Sequence, residues 1–183
     1  MEVELSRHDW GELRSFAGDS AMLAPELRKL AAATTREYAE LAFRRIEGAT
    51  LDLGRLSESS TAVASCLVHA LWKCSDEAEG YILELLSLIA GAEDEFPESE
   101  SLGQVSHAEC MRSVELGFPV YCEVLERSVD ESRIVSAIDL VALCGVSNIS
   151  LRPAARYALK MAKTRGPSSK HTGLIENSIS ELE

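Results

Sequence analysis

The chain has 183 residues, of which 46% are hydrophobic, 5% aromatic and 26% charged, and its formal net charge at pH 7 is −12. This length and hydrophobic fraction fit one globular domain or one short repeat array, and they exclude an intrinsically disordered chain. The few aromatic residues disfavour a β-sandwich, and the negative charge disfavours binding to duplex nucleic acid.

The cysteine pattern and the hydropathy indicate the cellular compartment in which the protein is expected. The cysteines are odd in number, form no Cys-x-x-Cys pair and lie mostly in apolar stretches, which is typical of reduced, buried thiols. The N-terminal residues MEVELSRHDW show neither the basic nor the apolar region of a signal peptide. No run of 18 apolar residues occurs. We therefore expect a cytoplasmic protein with no membrane contact.

Helix signals begin near the N-terminus. Residues 9–17 predict a first helix with Trp10 and Leu13 on one face and Gly18 as its stop. Pro25 fits the first turn of a second helix. This segment therefore predicts two helices joined by a short turn.

A third helix and an irregular connection follow. Thr34 and Glu37, three positions apart, predict a capping box that opens the helix, and Gly48 predicts its end. Residues 49–57 carry neither a helix nor a strand pattern, so we predict an irregular segment there.

Serine residues mark two helix starts in the middle of the chain. Ser57 or Ser59 is expected to cap a helix that reaches about Lys73. Ser75 is the predicted N-cap of the next helix, and Gly91 is its predicted C-cap.

The second half predicts four more helices. Their start signals are Ser106, Pro119, Asp130 and Ser150, each of which stands before an apolar pattern of helical period. The tail at 167–183 is either disordered or forms one weak helix.

These elements predict an all-α fold of about eight helices with no convincing strand. The connections are mostly short, so neighbouring helices should pack antiparallel. Helical pairs recurring at intervals of roughly 40 residues are typical of HEAT and armadillo solenoids. We therefore predict a short right-handed α-solenoid of HEAT-like helix pairs at 1–166, with an acidic loop at 92–105 inside it.

The stretch DWGELRSFAGDSAMLAPELRKLAAA resembles the N-terminal pattern of a group of bacterial HEAT-like proteins. In that group a Trp-x-x-Leu helix leads through a Gly-x-x-Ala turn into a Pro-x-Leu-x-x-Leu helix. The residues that match this pattern are Trp10, Leu13, Gly18, Ala21, Pro25, Leu27 and Leu30.

The resemblance extends over most of 9–165. Residues 67–91 keep the hydrophobic spacing of the next block, and the stretch from Gly117 to Gly145 looks like a HEAT unit with Asp130 at its inter-helix turn. Many of these proteins are encoded beside polymorphic toxins and are regarded as immunity proteins. Relatives often carry His-Gln-Gly and Tyr-x-Ala-Thr near the equivalent of 72–82, where this chain reads WKCSDEAEGYI. The resemblance therefore implies toxin binding. It does not imply any ligand or activity that depends on this signature, because this chain lacks the signature.

Motifs of catalysis or of metal binding are weak. Cys66 with His69, and His107 with Cys110, are Cys/His pairs spaced three residues apart, which would make a zinc site only if the two helices met. The favoured interpretation is that both cysteines lie in apolar stripes. Asp139 is expected on the solvated face of its helix, and no nucleotide-binding, zinc-protease or hydrolase motif occurs. We predict no enzyme activity, catalytic residue, cofactor or metal.

A basic stripe ends the main domain. Arg152, Arg156, Lys160 and Lys163 recur with helical spacing on one face of the last main helix. The stripe could contact phosphates, as in HEAT-like DNA glycosylases, or hold the acidic middle of the chain. The favoured interpretation is a solvated face.

The middle of the chain is acidic. From Asp76 to Glu109 there are ten acidic residues and no Lys or Arg. The segment at 92–105 has few apolar residues apart from Phe96, so it is either a solvated linker or a contact for a basic partner. The predicted partner contacts are Asp76, Glu77, Glu79, Glu93, Asp94, Glu95, Phe96, Glu98 and Glu100.

Three functions compete at this point. The preferred one is an immunity-type protein, a monomer when free, whose acidic surface neutralises a basic bacterial toxin domain. The second is a HEAT-like scaffold or adaptor with an unrelated protein partner. A HEAT-like DNA glycosylase that uses the basic stripe is disfavoured by the net charge and by the lack of a catalytic pair.

Overall fold

The computed structural model describes residues 1–92 and 103–183. Within those ranges the chain forms ten α-helices, and the predicted all-α class is confirmed. The helices are α1 (Glu2–Leu5), α2 (Leu23–Ala31), α3 (Arg36–Thr50), α4 (Ser60–Leu71), α5 (Asp76–Ala90), α6 (His107–Glu115), α7 (Phe118–Arg127), α8 (Glu131–Ser147), α9 (Arg152–Thr164) and α10 (Thr172–Glu181).

Two small hairpins were not predicted. Strand β1 (Arg14–Ser15) pairs antiparallel with β2 (Gly18–Asp19), and β3 (Leu51–Asp52) pairs antiparallel with β4 (Arg55–Leu56). The second hairpin turns at Leu53 and Gly54, whose φ angles are +50° and +82°. Glycine adopts such a positive φ without steric cost, which allows the tight reversal.

The predicted helix at 9–17 is wrong. Apart from one local turn, in which Glu12 N–H donates to Asp9 O at 3.1 Å, the backbone of this segment bonds to distant parts of the chain: Phe16 N–H donates to Ala49 O at 2.9 Å, and Ser59 N–H donates to the carbonyl oxygen of Arg14 at 3.1 Å. Trp10 is buried as predicted, with its indole Nε1–H donating to Leu5 O at 2.9 Å. Tertiary hydrogen bonds therefore satisfy the polar groups that a helix would otherwise pair.

Several predicted caps are confirmed, and others are displaced. Ser75, Ser106 and Asp130 each accept a hydrogen bond from a backbone N–H in the first turn of α5, α6 and α8. The cap of α3 is Thr35, one residue after the predicted Thr34, and α3 continues past Gly48 to Thr50. Ser150 does not cap α9, because Leu151 occupies that position.

The helices pack in a consistent order. Each of α2 and α3, α4 and α5, α7 and α8, and α9 and α10 forms a packed pair. Between the pairs, α3 contacts α5, α5 contacts α8 and α8 contacts α10, while α2 contacts α4 and α4 contacts α6. This order is compatible with the predicted solenoid, which stays a prediction.

The C-terminal segment contains a packed helix. After a short 3₁₀ turn at Ser168–His171, α10 packs against α8 and α9 and buries Ile175 and Leu182 completely. A Cβ at Gly145 would come within 2.7 Å of Ala155 Cβ and 2.8 Å of Leu182 Cδ2. Glycine at this position therefore allows α9 and the end of α10 to approach the α8 backbone.

Within the two described ranges, no helix is both long enough and apolar enough to span a membrane.

Candidate functional site

An acidic groove crosses α3, α5 and the start of α8. It consists of two adjoining cavities of about 200 Å³ and 350 Å³, which share Arg36, Tyr81 and Glu84 as lining residues. We call this surface the acidic groove. The acidic side chains that line it are Glu40, Glu47, Asp76, Glu77, Glu84 and Asp130, and the basic ones are Arg36, Arg44 and Arg133.

Helix α5 sets the geometry of the acidic groove. The Ser75 side chain caps the helix and accepts from Ala78 N–H, which fixes where the first turn begins. Asp76 and Glu77 lie in that turn, where the helix dipole favours negative charge. Glu84 lies two turns after Glu77, so the periodicity of the helix places both carboxylates on one side.

The three basic side chains are already engaged. Arg44 Nη2 contacts Glu40 Oε1 at 2.6 Å, and Arg36 Nε donates to the Tyr81 hydroxyl at 3.3 Å. Arg133 Nη1 contacts Glu79 Oε2 at 2.8 Å, and the same guanidinium donates to the Asp76 backbone carbonyl. The groove therefore keeps an excess of negative charge.

Three carboxylates of α5 form no direct pair with a base. Within residues 1–92 and 103–183, the side chains of Asp76, Glu77 and Glu84 form no ion pair or hydrogen bond. Burial raises the pKa of Glu84, and the nearby charge of Glu47 raises it further. A cation placed in the groove would relieve this unfavourable electrostatic interaction.

Glu79, one of the predicted partner contacts, lies away from the groove surface. It is buried, with 4% of its surface exposed, and it does not point into solvent. Its Oε2 contacts Arg133 at 2.8 Å, and its Oε1 contacts Arg127. The carboxylate is buried where α8 packs on α5, and two guanidinium groups reach it, Arg133 from α8 and Arg127 from the last turn of α7. Glu79 therefore connects three helices and is not part of the groove surface.

The remaining predicted contacts lie outside the described residues: Glu93, Asp94, Glu95, Phe96, Glu98 and Glu100. Ala92, the last described residue before them, lies beyond the C-terminal end of α5. Because α5 rises 1.5 Å per residue, Ala92 and Asp76 are separated by roughly 20 Å. The first-turn acids and the start of the acidic segment are therefore at opposite ends of one helix.

The side chains of the predicted Cys/His pairs contact other residues and not one another. His69 Nδ1 lies 2.9 Å from Ser65 O, and His107 Nε2 lies 3.0 Å from Ala90 O. Burial raises the pKa of the Cys66 thiol to about 12, and Cys110 Sγ contacts the Thr61 hydroxyl at 3.2 Å. Within residues 1–92 and 103–183, no group of three or more His, Cys, Asp or Glu side chains is arranged to hold a metal ion.

The basic stripe faces the C-terminal helix for much of its length. Arg156 Nη2 lies 3.8 Å from Glu183 Oε1, and Lys163 Nζ contacts Glu176 Oε1 at 2.5 Å. These partly exposed pairs join α9 to the α10 segment, while Lys160 and Lys163 stay exposed to solvent, in agreement with the favoured interpretation.

Asp139 is half-buried, contrary to the expected solvated position. Burial raises its pKa, and the charge of Glu181, near the end of α10, raises it further. Its position follows from the packing of α10 against α8.

Of the residues that line the acidic groove, only Asp76 and Glu77 were among the predicted contacts; Arg36, Glu47, Tyr81 and Glu84 are examples of those that sequence reasoning missed. A signal was present for Glu84, because its seven-residue spacing from Glu77 indicates a shared helix face. The α3 residues could not be found this way, since their position depends on the packing of α3 against α5.

No protein-family model, curated protein or solved structure matches this chain.

Proposed function

We propose that this chain is an immunity-type binding protein that captures a basic bacterial toxin domain in the acidic groove. The observation that carries the proposal is the set of three α5 carboxylates, Asp76, Glu77 and Glu84, whose side chains form no ion pair within the described residues. A partner that presents Lys or Arg side chains would supply the missing charge. The resemblance to HEAT-like immunity proteins gives the partner class.

The electrostatics support association with a basic protein. The net charge of −12 attracts a basic partner over a distance and repels nucleic acid. The groove then offers a concave surface in which carboxylates stand beside the aromatic ring of Tyr81. Such a surface suits Lys or Arg side chains, which pair with carboxylates and stack on aromatic rings.

The proposed architecture is the predicted HEAT-like solenoid in a cytoplasmic protein. Helices α3, α5 and α8 pack in sequence and together carry the groove. A row of stacked helices is a common way to build an extended binding surface. The groove would serve an adaptor with another basic partner equally well, so the identity of the partner decides between the two functions.

A pull-down identifies the partner. The tagged chain is incubated with a native lysate at low salt, and the bound proteins are identified by mass spectrometry. The pull-down is then repeated at high salt. We expect one stoichiometric basic toxin domain, weakened by salt. An unrelated basic protein would favour the adaptor, and bound nucleic acid would overturn the proposal.

The groove is then tested by substitution. The variant Asp76→Asn/Glu77→Gln/Glu84→Gln should bind the isolated partner about tenfold more slowly, because electrostatic steering is reduced. The matched control Asp9→Asn/Glu12→Gln/Glu181→Gln removes the same number of exposed carboxylates elsewhere and should change the rate far less. Equal effects of the two variants would show that only net charge matters and would contradict the assignment of the groove.

A further inference from the structure

One arginine stands in the middle of the acidic groove. Arg36 is the first residue of α3, and its side chain lines both of the adjoining cavities. Tyr81 and Glu84 of α5 are shared between the cavities in the same way. A basic side chain that binds where the two cavities join would therefore meet the Arg36 guanidinium.

The place of Arg36 in α3 does not stabilise the helix. The first turn of a helix carries the positive end of the helix dipole, so acidic side chains are favoured there and basic ones are disfavoured. Thr35 caps α3 and Glu37 meets this preference, whereas Arg36 does not. A basic residue at this position is better explained by the contact that its side chain makes with α5.

Arg36 is the least firmly held of the three bases in the groove. Its Nε donates to the Tyr81 hydroxyl at 3.3 Å, which is a long hydrogen bond in an exposed setting. Arg44 and Arg133 each contact a carboxylate, at 2.6 Å and 2.8 Å respectively. In the part of the chain that the structure describes, Arg36 forms no ion pair. Its guanidinium can therefore leave the groove by breaking a single weak hydrogen bond.

The surroundings of Arg36 suit a cation. The hydrogen bond to Tyr81 raises the pKa of Arg36, and the nearby charges of Glu40 and Asp130 raise it further. The Tyr81 ring packs against Phe43, with the ring centroids 5.5 Å apart, and this contact fixes the position of the hydroxyl. Arg36 thus occupies a place in which carboxylates and a tyrosine already favour a guanidinium group.

We propose that Arg36 is an internal plug of the acidic groove, whose guanidinium occupies the place of a basic side chain of the partner and leaves it on binding. This inference rests on the proposed function, because it takes the partner to be basic. Binding then requires the conformation in which Arg36 has moved out. The apparent dissociation constant rises as the fraction of molecules in that conformation falls.

The variant Tyr81→Phe tests the plug without changing the charge. It removes the hydroxyl that holds Arg36 and keeps the aromatic ring in the groove. The probe is a short, fluorescently labelled polyarginine peptide, and its binding is measured by fluorescence anisotropy at low salt. Tyr81→Phe should bind the peptide about threefold more tightly than the wild type, because more molecules are open. Unchanged affinity would overturn the proposal.

Tyr38 provides a matched control, because it also lies on the protein surface but does not line the acidic groove. The variant Tyr38→Phe removes one exposed hydroxyl and should leave the affinity for the peptide unchanged. If Tyr38→Phe and Tyr81→Phe tighten binding equally, the hydrogen bond to Arg36 is not the cause and the proposal fails.

Removal of the plug itself should have a larger effect. Arg36→Gln removes the guanidinium and one positive charge, and it should tighten peptide binding about tenfold. Lys160→Gln removes the same charge from α9, which does not line the groove, and should tighten binding far less. Equal gains in the two variants would reduce the effect to net charge and overturn the plug.

Movement of the plug is observed directly by NMR. In the complex with saturating peptide, the Nε–H signal of Arg36 should shift towards that of a free arginine, because the bond to Tyr81 is broken. The signal is assigned by its absence from the spectrum of Arg36→Gln. An unchanged signal in the complex would show that the guanidinium stays in place and would overturn the proposal.

The variant Asp76→Asn/Glu77→Gln/Glu84→Gln separates the plug from the proposed function. It should weaken peptide binding, since it removes the carboxylates of the groove. If it does so while Tyr81→Phe binds like the wild type, the groove is the binding site and the plug is wrong. If the wild type and the triple variant bind the peptide equally or not at all, the groove and the plug both fail.

Discussion

The carboxylates of α5 occupy two contrasting regions. Glu79 is almost fully buried and contacts Arg127 of α7 and Arg133 of α8. Asp76, Glu77 and Glu84 are exposed on the groove side of the same helix, and their side chains form no ion pair within the described ranges. The local sequence is acidic throughout, yet one carboxylate connects helices while the others leave a surface with uncompensated charge.

The difference shows what a run of acidic residues can and cannot indicate. Burial of a charge is unfavourable unless a partner of opposite sign accompanies it, and here two arginines from distant positions do so. An exposed carboxylate remains hydrated and needs no partner, so its charge is available for binding. The role of each acid therefore depends on which helix packs over it.

The largest effect is expected from removing both arginines. The variant Arg127→Ala/Arg133→Ala leaves the buried Glu79 carboxylate unpaired, which should cost about 3–5 kcal/mol of unfolding free energy. Urea denaturation measures this loss. The control Arg44→Ala breaks only the exposed pair with Glu40 and should cost less than about 1 kcal/mol. Equal stability of the two variants would contradict the structural role of Glu79.

A moderate effect is expected from the acidic segment. Neutralising Glu93, Asp94, Glu95, Glu98 and Glu100 should slow association with a basic partner about tenfold at low salt. The physical reason is the loss of steering charge, so high salt should remove the difference between variant and wild type. Stopped-flow binding at two salt concentrations measures it. Unchanged affinity and salt dependence would exclude the segment from the interface. Of the two candidate interfaces, the acidic segment and the acidic groove, the groove would then remain.

The smallest effect is expected from Glu84 itself. Its pKa is higher in the folded chain than in the unfolded one, so the folded protein binds the proton more readily. The carboxylate charge therefore destabilises the fold above this pKa, and the penalty disappears as the pH falls through it. Glu84→Gln should raise the melting temperature by about 1 °C at neutral pH, with a smaller gain in acid.

The interaction between Glu47 and Glu84 can be measured directly by titration. Glu47→Gln removes the charge that helps to raise the pKa of Glu84, so the pKa of Glu84 should fall. NMR titration of the Glu84 side chain measures this shift. An unchanged pKa would show that the two carboxylates do not interact.

Much of the fold could be predicted from the sequence. The N-caps Ser75, Ser106 and Asp130 were found because capping depends on a side chain and a backbone N–H only two or three residues apart. The apolar stripes of α4 and α6 were found because the period of a helix determines which side chains share a side. Cys66 and Cys110, which were expected in those stripes, are both fully buried.

The acidic groove was not predicted as a groove. Asp76 and Glu77 were proposed as partner contacts from their charge, and they line the groove, but their role in binding stays a prediction. Glu79 was grouped with them wrongly, because the arginines that bury it are about fifty residues away in sequence. The six predicted residues between 93 and 100 remain predictions.

The sequence by itself determined the all-α class, three of the helix starts and the acidic character of the protein, because these properties depend on composition and on neighbours within one or two turns. The tertiary structure alone decided that the Trp10 segment avoids a helix, that Glu79 is buried and that Arg36 reaches Tyr81 in the acidic groove. Each of these outcomes depends on contacts between residues far apart in the chain. Such contacts form only after the helices pack, when burial changes the free energy of every charge and backbone group at the interface.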